Sequence, residues 1–238
     1  MNPDIATNGV ENRAAERVTQ RTVFWAAVCS TFLGVLYLIG LVGKLIVDGT
    51  VHSVSSQPVQ IVSAITAILL DLNLLILFVA LRRQISGRNM VFADLAVVFM
   101  TLVCATSSVS WFAQLAVLPK IVQAGDATMA AWMDIHNNGS IMYAIEHLGW
   151  GIFYGLATIF LAMAMGAGKL ESWIRWLLVT GGILSILHVP GIITTHPAIG
   201  DLGYLAWGVL LPGTTTLLAI RFARRQLQNG EKNTAFSG

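Results

Sequence analysis

Charged side chains are scarce in this sequence. Lysine, arginine, aspartate and glutamate make up 11% of 238 residues, against 55% apolar types. A soluble domain carries roughly 25% charged residues because water must wet its surface. So sparse a set excludes an ordinary water-soluble domain, whereas lipid imposes no such demand. A net charge of +2, with no basic patch interleaved with aromatics, gives no footprint for nucleic acid. Cysteine is nearly absent. Cys29 and Cys104 both fall in apolar segments, so a disulfide framework is excluded and two buried thiols acting as small apolar groups are expected. Also missing are His-x-x-x-His, His-Glu-x-x-His and Asp-x-x-Asp pairs, a Gly-x-Ser-x-Gly elbow and a phosphate loop. No motif calls for a metal or a cofactor.

What the chain does have is long apolar runs. Six stand out, at about Thr22–Val47, Val59–Leu81, Met90–Leu118, Ser140–Ala167, Trp173–Ile193 and Leu202–Phe222. Each approaches the ~20 residues a helix needs to cross a ~30 Å hydrocarbon core. A membrane barrel would show alternating segments of about ten residues instead. The expected fold is all-α, a polytopic integral membrane bundle of about six transmembrane helices spanning residues 22–222. Residues 1–21 form a polar N-terminal segment with a short leading helix, and 223–238 a C-terminal tail, unstructured from Gln226. The first run is longer than the ~7–15 apolar residues of a signal peptide, so it reads as a retained span.

Arginine and lysine then set the orientation, because they accumulate in cytoplasmic loops. Arg13, Arg17 and Arg21 precede span one. Arg82, Arg83 and Arg88 follow span two, Lys169 and Arg175 follow span four, and Arg221, Arg224, Arg225 and Lys232 follow span six. Twelve of the fourteen basic residues thus share one side, and only Lys44 and Lys120 fall on the other. An even number of spans puts both termini on the basic side. The expectation is a multi-pass protein of a membrane such as the bacterial inner membrane, with both termini cytoplasmic. In the outer loop Pro119–Gly139, Asp126 is placed to cap a short interfacial helix bearing Met129, Trp132, Met133 and His136. The Pro190–Asp201 connection reads as a turn or a partly re-entrant stretch.

Membrane helices meet through small residues. Gly151 and Gly155 in span four form a small-xxx-small pair, read as tight packing within the chain, with a homo-oligomer face as the sharper alternative. Span one and span four share a loose pattern, Gly34, Tyr37, Gly40 against Gly151, Tyr154, Ala157, a weak sign of two inverted halves.

Polar groups inside the spans are the candidates for function, since an ionisable group in hydrocarbon costs about 2.5–3.5 kcal/mol on insertion scales. Asp71 lies mid-way along span two, with Asn73 two positions on and so on another face. Buried alone, Asp71 would keep its proton. Glu146 and His147 lie about two turns into span four, about 100° apart, with Tyr143 in reach of either. His188 nears the outer end of span five, with Gln114 at similar depth on span three. Asp94 is expected to be solvated or paired with Arg82, Arg83 or Arg88. All five histidines, His52, His136, His147, His188 and His196, fall in the outer third or beyond, which suggests a polar, outward-facing vestibule.

Three functions fit. The first is binding or transport of a small apolar or amphiphilic molecule through that vestibule, with Asp71, Asn73, Glu146, His147 and His188 as intramembrane polar or ligand-binding groups. The second is an enzyme acting on a lipid or isoprenoid-like substrate, with Glu146 or Asp71 as acid and His147 or His188 as partner. A metal held by Glu146, His147 and His188, or haem between the histidines, is a weaker variant. The third is a structural subunit of a membrane complex. The lipid bilayer is the partner common to all three.

Overall fold

The computed structural model describes residues 3–48 and 57–235. His52 lies outside the described residues, and so do the side chains of Arg13, Lys44 and Lys232. In lipid every backbone N–H and C=O must be satisfied within the segment, so charge-poor apolar runs coil into helices. Every regular element among the described residues is helical. Six are long and apolar enough to cross a bilayer: Ala15–Gly40, Gln60–Arg82, Gly87–Gln123, Ile141–Ala164, Lys169–Ile193 and Pro197–Gln228, spans one to six below. The chain is an all-helical multi-pass membrane bundle. Its outer faces are apolar, with Phe32, Phe112 and Ile193 all largely exposed. Trp25, Trp173 and Trp176 are exposed near the basic end and Trp132 near the other, where amphipathic rings suit the two membrane interfaces. Trp111, Trp150 and Trp207 are buried.

Each span packs against the next, and span six returns to span one, so the bundle closes as a ring in sequence order. Span six meets span one through Thr215 Oγ1 and Thr31 Oγ1, 2.8 Å apart. There Gly34 lies so close to Pro212 that an added Cβ would sit 2.9 Å from the ring. Gly151 faces Val189 on span five, and a Cβ on Gly155 would come within 2.8 Å of the Gly182 carbonyl. These glycines serve contact between spans four and five of the same chain.

Departures from the expectations are local. The helix of span one is continuous over Pro3–Asp48. The last helix runs Leu211–Ala235, where an unstructured tail from Gln226 was expected. Gln226, Leu227, Gln228, Glu231 and Lys232 are good helix formers and simply prolong the helix that lipid has already nucleated. Cys104 is buried but Cys29 is exposed, and both are free thiols. The expectation of two buried thiols therefore fails for Cys29, which lies on the outward face of span one. In the outer loop, Asp126 accepts from Met129 N at 2.9 Å and caps a helix over Ala127–Met133. The helix stops short of His136. Gln114 ties this loop to span three, donating to Met133 O at 2.7 Å and accepting from Ile135 N at 3.2 Å. After span five, Thr195 takes a left-handed φ of 55° and the chain turns back through two single-turn helices, Pro197–Gly200 and Leu202–Leu205. Gly191 permits this return, because a Cβ there would collide with the backbone of Ile199 and Gly200.

The interior divides by depth. Toward the basic end, Val23, Leu74, Met100, Leu161, Ile174 and Phe222 form an apolar core with almost no exposure. From Asp71 outward, polar and aromatic groups join the buried set, namely Asp71, Ser107, Ser110, Trp111, His147, Ser185, His188 and Trp207, beside a smaller apolar cluster of Ala64, Ala67, Ile135 and Met142.

Candidate functional site

Five of the spans supply hydrogen-bonding or charged groups to this polar half, and consecutive-residue geometry sorts them. The 100° step between neighbours on a helix sends Glu146 toward span three and His147 toward span five. Glu146 Oε1 accepts from Trp111 Nε1 at 2.9 Å and from the Ser107 hydroxyl at 3.1 Å. The same Ser107 oxygen accepts from Trp150 Nε1 at 3.1 Å. His147 Nδ1 lies 2.7 Å from His188 Nε2, and His188 Nδ1 contacts the Gly200 carbonyl. Tyr143 sets its ring 4.0 Å from that of His147.

The histidine contacts fix the protons. A carbonyl can only accept, so His188 Nδ1 carries a hydrogen. In a neutral ring Nε2 then accepts, so His147 Nδ1 must donate to it. Both rings therefore share one tautomer, protonated on Nδ1. The direct bond leaves no room for a metal or haem iron between the two imidazoles. Among the described residues no three His, Cys, Asp or Glu side chains converge as metal ligands.

Asp71 is the outlier. It is 0% exposed, and neither carboxylate oxygen has a hydrogen-bond partner. Ser107 lies beside it, but that hydroxyl has a single hydrogen, already given to Glu146. Glu146 holds that hydrogen, and its own Oε2 is buried without a partner. Two carboxyls thus lie beside one serine, with no cation paired to either among the described residues. All three ion pairs among the described residues lie at the basic end instead: Arg82 with Asp94, and Arg221 and Arg225 with Glu171. Asn73, on a different face from Asp71, donates to Ala26 O and to Ser30 Oγ on span one, both at 2.7 Å. It is a packing clamp and does not join the site.

Trp150 and Trp207 join the histidine pair to the carboxyl pair, and sequence reasoning passed over both. Trp207 Nε1 donates to Ser185 Oγ at 3.0 Å and to Trp150 O at 3.1 Å, and the two rings lie 5.7 Å apart. That carbonyl is available because each tryptophan sits in a π-helical turn, Leu148–Phe153 and Ala206–Leu210. Such turns loosen the regular carbonyl pairing and are frequent at functional sites. A signal for them existed: Leu148-Gly149-Trp150-Gly151 and Leu205-Ala206-Trp207-Gly208 are one pattern repeated on two parallel spans. The small residues let the rings approach. Gly149 lies against Thr106, and a Cβ on Gly203 would fall 2.8 Å from His188.

Comparison with known protein families, curated proteins and solved structures finds no match to this chain, so its chemistry has to be read from its own residues.

Proposed function

We propose that this protein binds or transports a small apolar or amphiphilic molecule, and that the Asp71–Glu146 pair couples that event to uptake of a proton. One observation carries the reading: a fully buried aspartate with two unpartnered oxygens and a second carboxyl with one lie beside the same serine, Ser107. Two ionised carboxylates around one hydroxyl in hydrocarbon are not sustainable, and neighbouring carboxyls share protons as a unit. A proton suits the pair better than a metal, because among the described residues no further ligating side chains are gathered around it. The basic ends face the cytoplasm in this reading, as the lysine and arginine bias favours, with both termini there in an inner membrane of bacterial type. The polar half then opens outward, toward His136, His196 and Asp201.

The enzyme reading is weaker, because both hydrogen bonds to Glu146 come from Ser107 and Trp111 rather than from a histidine able to act as its partner. The structural reading is weaker too, because a group kept only for packing would have its hydrogen-bonding atoms satisfied, as the Asn73 amide nitrogen is.

Infrared difference spectra of the reconstituted protein, recorded between acid and alkaline buffer, test the proposal. A carboxyl band titrating in an apolar environment is expected, altered in Asp71→Asn and in Glu146→Gln. Identical spectra for wild type and both variants would overturn it. In vesicles under an imposed pH gradient, accumulation of a lipophilic probe should depend on the same two residues.

A further inference from the structure

A second polar site lies at the opposite end of the bundle, remote from the carboxyl pair. A cavity of about 240 Å³ opens between the connection after span two, the end of span four and the last helix. Its wall carries Ser86, Asn89, Arg221 and Arg225, and its floor is Leu81 and Leu161. The three elements are distant in sequence, so the cavity is built by the fold.

The local charge does not balance. Arg221 and Arg225 share one carboxylate, Glu171. Its Oε1 lies 2.9 Å from Arg221 Nε but 3.8 Å from Arg225 Nη2. The first contact is a charge pairing without alignment, since Arg221 Nε is buried with no hydrogen-bond acceptor. One positive charge is left over. Arg225 is held loosely at 41% side-chain exposure, with its guanidinium 5.6 Å over the Phe222 ring, which keeps the planar fork ordered. Guanidinium forks match phosphate oxygens, and Ser86 and Asn89 add neutral donors. The volume lies below the ~300–1,000 Å³ of pockets that enclose a whole drug-sized molecule. The apolar floor suits a ligand with an apolar attachment, and the basic end of a bundle lies at the level of phospholipid headgroups.

We infer that this cavity binds a phosphate group, carried by the headgroup of an anionic phospholipid. Wild type, Arg225→Gln and Arg224→Gln are compared in nanodiscs of phosphatidylcholine with and without phosphatidylglycerol. Arg224 is exposed and does not line the cavity, so it reports general surface attraction. Phosphatidylglycerol should raise the Tm of wild type and of Arg224→Gln and leave Arg225→Gln unmoved. Native mass spectrometry should show roughly tenfold weaker retention of phosphatidylglycerol by Arg225→Gln, and only partial recovery in Arg225→Lys, which keeps the charge but loses the fork. Equal loss in Arg224→Gln and Arg225→Gln, or no lipid-dependent shift in wild type, would overturn the inference. Inorganic phosphate, at matched ionic strength in phosphatidylcholine discs, separates the sources. No shift supports the lipid headgroup; an Arg225-dependent shift that also abolishes the gain from phosphatidylglycerol supports the phosphate site but assigns it a soluble ligand. An unchanged elution profile of Arg225→Gln in phosphatidylcholine discs shows that the variant folds.

Discussion

The two halves of the bundle interior treat charge in opposite ways. The basic half is filled with Leu74, Met100, Leu161, Ile174 and Phe222, and its carboxylates Asp94 and Glu171 stay at the rim beside arginines. The outer half buries the carboxyls of Asp71 and Glu146 with no cation paired to them among the described residues. The first arrangement serves anchoring: apolar packing holds the helices, and ion pairs finish their ends. The second has no stabilising rationale of its own. A buried carboxylate is a cost in any folded state, so its retention points to a group that must change state.

The contrast can be broken or sharpened by removing carboxylates one at a time and reading stability in detergent. The largest change should come from Glu171→Gln, which strands two guanidiniums, one of them mostly buried. A loss of about 2 kcal/mol is expected, under the ~3–5 kcal/mol of a fully buried pair because Arg225 is partly solvated. Ser107→Ala should follow, at about 1–2 kcal/mol, because it deprives Glu146 of a donor and Trp150 of an acceptor together. Asp71→Asn should stay within about 1 kcal/mol of wild type, since no favourable partner is removed, while abolishing the infrared response. If Asp71→Asn were as damaging as Glu171→Gln, the aspartate would have a hidden partner and the contrast between the halves would be false. The smallest effect should be that of Asp94→Asn, because Asp94 is itself exposed beside Arg82; no measurable change in Tm is expected.

Much of this was legible in the sequence, and the exceptions have physical reasons. The six spans follow from hydropathy alone, because lipid leaves the backbone no other regular structure. Asp71, Glu146, His147 and His188 declare themselves as ionisable groups in apolar runs. Their partners do not. Ser107 looks like any small residue suited to helix contact, and Trp111, Trp150 and Trp207 resemble the tryptophans of lipid-facing surfaces. Nothing in a hydropathy profile separates a ring that meets lipid from one whose N–H is spoken for. The π turns are harder still, since they shift the register of spans four and six by a fraction of a turn, and only the repeated Leu-x-Trp-Gly pattern hints at them. The extra helix after Gln226 was missed because its residues are polar, and polarity was weighed above helix propensity.

That sorting of the tryptophans has an optical consequence. Trp25, Trp132, Trp173 and Trp176 are exposed at the edges of the apolar belt, whereas Trp111, Trp150 and Trp207 are locked into the hydrogen-bonded interior. Brominated lipids should quench the emission of the first set by contact and largely spare the second. The residual emission then comes from rings bonded to Glu146, Ser107 and Ser185, so intrinsic fluorescence in such lipids becomes a built-in reporter of events at the carboxyl pair, with no added label.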